Sequence, residues 1–79
     1  MQNGHKMTVD AKRLRAEWIA RGYTNEAFAA KIGVSNSTIS RWLKGGADSI
    51  TIAMANKIVQ TLGLSGPEAS TIFFAPKIA

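Results

Sequence analysis

A chain of 79 residues with no cysteine and a single histidine, His5, has room for one small-cored domain, and excludes disulfides, thiolate zinc and histidine-rich metal sites as its supports. Its hydrophobic fraction of 46% suffices for a packed core. No run approaches the roughly 18 apolar residues of a membrane helix and no apolar stretch opens the chain as a secretory signal would, so a soluble cytoplasmic protein without metal or other cofactor is expected. The net charge of +5 resides in residues 1–44, where eight basic residues face three acids, while residues 45–79 balance at zero. That division predicts a polyanion-facing surface beside a separate neutral one, although an ordinary basic surface would fit the charge equally well.

Residues 1–7 are polar, contain a glycine, and are expected to form a flexible tail ahead of a single domain at 8–79. Five short helices are predicted beyond it. The first runs from about Val9 to Arg21 with Thr8 as its N-cap and Asp10 near its positive end. Leu14 and Trp18 share one face with Ala11, and Gly22 ends the helix. The second runs from about Asn25 to Ile32 behind the N-cap Thr24. Phe28, Ala29 and Ile32 form its apolar face, and Gly33 sits just past its end, where a left-handed residue is wanted.

The third helix starts after the N-cap Ser35 and ends near Lys44, before Gly45-Gly46. The fourth spans about Ile52 to Leu62, capped by Thr51 or Ser49, with Ile52, Ala55, Ile58, Val59 and Leu62 inward and Gly63 closing it. Ser65-Gly66-Pro67-Glu68 has the spacing of a capping box and opens a fifth helix that carries Ile72, Phe73 and Phe74 until Pro76 stops it. No alternation rich in valine and threonine is present, so the fold class is all-α.

Function concentrates on the third helix. At ~100° per residue, Asn36, Ser37, Ser40, Arg41 and Lys44 fall on one arc, and Thr38, Ile39, Trp42 and Leu43 on the opposite one. The polar arc offers an amide, two hydroxyls, a guanidinium and an ammonium, with no acid. Asparagine can pair bidentately with adenine and arginine with guanine, serines can bond bases or phosphates, and lysine neutralises phosphate. A solvated amphipathic helix would also show such an arc. The segment ahead favours DNA. Ala29 is small where a second helix must cross closely, Gly33 supplies the turn, Val34 plugs the corner, and Ile39 and Trp42 fall back onto Phe28 and Ile32.

Thr24 to Gly45, TNEAFAAKIGVSNSTISRWLKG, resembles the helix-turn-helix of the lambda-repressor-like family, which includes phage Cro and CI repressors and bacterial xenobiotic-response-element (XRE) regulators. The likeness extends over roughly Val9 to Ala75, including T-I-x-x-A-N-K-I-V-x-x-L-G-L-S and the I-F-F-A ending. It implies a five-helix repressor fold and a homodimer bound to a double-stranded DNA operator near a phage or bacterial promoter. Asn36, Ser37 and Arg41 match its base-reading positions, and Ser40 joins them on the same arc. Ser35 and Lys44 match backbone-facing positions. Asn25 matches a phosphate-contacting position that commonly holds the longer glutamine. Many relatives pair an arginine at the Trp18 position with a glutamate at the Leu43 position. Both are apolar here, and Trp18 is expected to pack near Leu43.

Other residues carry weaker expectations. Arg13 and Arg15 are candidates for phosphate contact, whereas Lys12 reads as a solvated side chain. Trp18 and Trp42 read as core rather than as base-stacking platforms, and His5 as part of the tail. Ile72, Phe73 and Phe74 could close the core, form a dimer seam, or both. Antitoxins share this fold, so a module whose C-terminal end grips a protein partner is the second functional reading. Catalysis is not expected. The five acids are scattered, and no nucleophile motif or phosphate-binding glycine loop is present.

Overall fold

The structure, a computed structural model, describes residues 8–73. The expected tail at 1–7, Phe74 and the stop at Pro76 lie outside the described residues. Within them the chain forms α1 (Ala11–Ala20), α2 (Asn25–Ile32), α3 (Asn36–Arg41), α4 (Ile52–Leu62) and α5 (Gly66–Phe73), with no strand among the described residues.

Side-chain caps set where these helices begin. The hydroxyls of Thr24, Ser35 and Thr51 accept from the backbone N–H groups of Ala27, Thr38 and Met54 at 3.0, 3.1 and 3.1 Å. Each satisfies a donor that the first helical turn leaves unpaired. α1 departs from expectation. Its cap is Asp10, whose carboxylate accepts from Arg13 N at 3.1 Å, so the helix starts two residues later than Thr8 would place it. A charged acceptor at the positive end of a helix is the stronger partner. α1 also ends before Arg21. That side chain turns back to bond Glu17 and donates from Nε to the carbonyl of Leu62 at 2.6 Å. It thereby ties the C-terminal ends of α1 and α4 together.

The capping box of α5 forms in both directions. Ser65 Oγ accepts from Glu68 N at 3.2 Å, and the Glu68 carboxylate accepts from Ser65 N at 2.8 Å. The backbone bond from Ser65, then its hydroxyl, hold the Glu68 carboxyl below its ordinary range. Because the folded value is lowered, this contribution is present above the ordinary carboxylate range and lost as pH falls through the lowered value. Glu68→Gln is therefore expected to melt below the wild type at neutral pH, with the gap closing on acidification. A gap in thermal midpoint that stays constant from pH 7 to pH 3 would contradict this.

The core is a single cluster in which Leu14, Trp18, Phe28, Ile32, Ile39, Ile58, Ile72 and Phe73 are the largest fully buried side chains. Phe28 is stacked on Trp18 at 4.4 Å and meets Tyr23 edge-on at 5.8 Å. α1 packs against the segment after α3, and Leu43 packs against the cluster that contains Trp18.

One expectation needs correction. The apolar period of α4 places Ile52 inward, but it is 67% exposed, because burial along α4 begins only at Met54 and Ala55. Ile72 and Phe73 are each 0% exposed. The carbonyl of Ile72 also accepts from Asp10 N at 2.8 Å, which docks α5 on the start of α1. These two side chains close the core, the first of the two roles expected of them.

Candidate nucleic-acid interface

The corner between α2 and α3 is built from a small residue and a left-handed one. Ala29 is buried, and its carbonyl accepts from both Gly33 N and Val34 N at 2.9 Å. Gly33 has φ 81°, a conformation that costs a side chain roughly 1–2 kcal/mol. The chain reverses within these residues and delivers Ser35 to cap α3. Ser35 Oγ and Thr38 Oγ1 also share a hydrogen bond at 3.0 Å, which stiffens the first turn.

Ile39 and Trp42 anchor α3 inward at 2% and 3% exposure. The opposite side is open. Asn36, Ser37, Ser40, Arg41 and Lys44 are all exposed, and with Gly45 and Gly46 they line one open concavity. The buried and polar arcs expected from the sequence are therefore the two sides of the folded helix. Among the described residues the only ion pair is Arg21–Glu17, so Arg41 and Lys44 are tied to no carboxylate there. Arg41 makes one long bond, Nη2 to Thr38 Oγ1 at 3.4 Å.

Helical geometry gives out at Lys44 (φ −98°, ψ 19°) and reverses at Gly45 (φ 105°), close to where the sequence predicts the end. Gly46 then passes against Arg41. A Cβ at Gly46 would stand 2.8 Å from both Arg41 O and Arg41 Cγ. Only a residue without a side chain lets the turn close there without displacing the backbone or the stem of Arg41.

A second group lies at the start of α2. Asn25 Oδ1 accepts from Trp18 Nε1 at 2.9 Å and from Arg15 Nε at 3.3 Å. Sequence reasoning named Asn25 and Arg15 separately and missed that they are joined, with Trp18 as the third member. A signal was present: a buried indole N–H needs an acceptor, and helical spacing places Trp18 in the core. Arg13 is exposed on α1, and no hydrogen bond of its side chain joins it to either group among the described residues. Ser35 is exposed, with its hydroxyl engaged by Thr38.

A family model described as helix-turn-helix matches residues 12–68. No curated protein and no solved structure matches the chain. The match covers α1 to the start of α5, including the corner made by Ala29 and Gly33 and the exposed basic side of α3. The chain belongs to the XRE, lambda-repressor-like helix-turn-helix family of DNA-binding transcription regulators.

Proposed function

We propose that this protein is a sequence-specific repressor of the Cro/CI type, working in the cytoplasm of a bacterium or a phage-infected host. It binds an operator as a homodimer, with α3 in the major groove of each half-site. Asn36, Ser37, Ser40 and Arg41 read base edges. Asn25, Ser35, Lys44, Arg13 and Arg15 hold the phosphates that fix its register. Repression is steric: occupied promoter DNA is closed to polymerase.

The observation that carries this reading is the exposed, acid-free side of α3 opposite buried Ile39 and Trp42. Two details support the phosphate roles. When Thr38 donates to Ser35 Oγ, the Ser35 proton is free to point outward. Lys44 stands at the end of the helix, beside the concavity that the base-reading residues line.

Selection from a random duplex library tests the proposal. A palindromic consensus is expected, with half-site centres ~34–36 Å apart. Recovery of an unpaired half-site would remove the homodimer, and no enrichment would remove sequence specificity. Lys44→Ala is expected to weaken all duplexes alike and to lower the slope of log affinity against log salt by about 1. A loss confined to particular sequences would reassign Lys44 to base reading.

A further inference from the structure

Trp18 is 0% exposed, and its ring is stacked on Phe28. Its N–H, however, points out of the core to Asn25 Oδ1 at 2.9 Å. An indole nitrogen only donates, so this bond decides which end of the amide faces inward. The oxygen lies against Trp18, and the two Nδ2–H donors lie away from it. Arg15 Nε approaches the same oxygen at 3.3 Å, which occupies its remaining lone pair and holds the guanidinium beside the amide. Asn25 is half-buried at the first position of α2. Its amide is therefore oriented before any ligand arrives, and ordering it on binding costs little.

We propose that Trp18 is a positioning residue of the DNA interface. Its indole N–H locks the Asn25 amide with oxygen inward and NH2 outward, so that Asn25 and Arg15 present one preset pair of donors to a phosphate. The inference rests on the reading that Asn25 and Arg15 meet the DNA backbone. It assigns the tryptophan a second task besides filling the core. It also gives the short asparagine a rigidity that a freely rotating side chain lacks.

A double-mutant cycle on the full chain tests it, using the selected consensus duplex at a temperature where circular dichroism shows each variant folded. Trp18→Phe keeps an aromatic ring and removes the donor. It is expected to weaken binding by about 3–10-fold, the scale of one hydrogen bond, and to leave the consensus unchanged. Asn25→Ala is expected to weaken binding comparably, and the double variant no further than the weaker-binding single variant. If Trp18→Phe costs the same factor in the Asn25→Ala background, its role is packing and the proposal fails. If Asn25→Ala leaves the affinity of a DNA-binding protein unchanged, the proposal fails together with the phosphate role of Asn25, while the reading of the protein as a repressor stands. If the wild type binds no duplex, both fall.

Nitrogen-15 NMR gives a readout that does not depend on Trp18→Phe folding. The Trp18 indole proton is expected to exchange slowly with solvent in the wild type and faster in Asn25→Ala. Adding duplex is expected to shift the Asn25 Nδ2 protons while the indole proton stays protected. Fast indole exchange in the wild type would overturn the lock directly.

Discussion

Arg41→Ala is expected to erase the preference for one base pair in each half-site while leaving the fold intact. The fold is insulated because Arg41 is exposed and its one side-chain bond is the long contact to Thr38. The DNA effect follows from geometry. Arg41 shares the open side of α3 with Asn36, Ser37 and Ser40, and no carboxylate competes for its guanidinium among the described residues. A planar fork so placed suits the O6/N7 edge of guanine, and one good bidentate pair discriminates by ~1–3 kcal/mol, roughly 5–150-fold. The check is a set of duplexes carrying each base at each position, titrated with wild type and variant. Loss of discrimination at one position per half-site is expected. A uniform loss across the set would make Arg41 a phosphate contact and shift base reading onto Asn36, Ser37 and Ser40.

Arg41 and Lys44 should separate in this experiment although both are cationic and lie on the same side of one helix. Lys44 sits where the helix gives out, with a compact ammonium that carries no directional pattern. Arg41 lies a turn earlier, with a planar guanidinium that presents a directional fork of donors. Position and donor geometry, rather than charge, distinguish a contact that reads sequence from one that reads only the backbone.

Much of this was legible in the sequence because it depends on local rules. The caps at Thr24, Ser35, Thr51 and Ser65 each bond a backbone N–H three residues on, and a spacing of three is visible in any string of letters. Gly33 behind Ala29 announces the corner for the same reason. The two arcs of α3 follow from helical period alone. What failed or was missed depends on how the helices meet in space. Thr8 and Asp10 are both acceptable caps locally, and docking of Asp10 N on Ile72 O helps fix where α1 begins. Ile52 fits the apolar period of α4, but no period reveals where the rest of the core stops. Ile72 and Phe73 looked surplus to one short helix until α5 closed against α1. The bond from Trp18 to Asn25 crosses from one helix to the next, and the sequence does not show the angle at which they meet.

Phe28→Ala is expected to cost about 3–5 kcal/mol, at the upper end of what truncating one core side chain costs. Phe28 is 0% exposed, stacked on Trp18 and bordered edge-on by Tyr23, so deleting the ring removes both aromatic contacts and leaves a cavity between helices. A domain of this size holds roughly 4–12 kcal/mol in total, so the variant stands at or near the threshold of unfolding. The thermal midpoint should fall by roughly 10–40 °C. Phe28→Leu refills much of the space and is expected to recover a large part of the difference. A midpoint for Phe28→Ala within a few degrees of wild type would mean that the neighbouring side chains collapse into the space. The functional consequence should exceed the stability loss alone. Phe28 is the surface against which Trp18 lies, and Trp18 holds the Asn25 amide. If Asn25 meets a phosphate as proposed, Phe28 supports that contact from within the core, and weakened binding should persist at temperatures where Phe28→Ala remains folded.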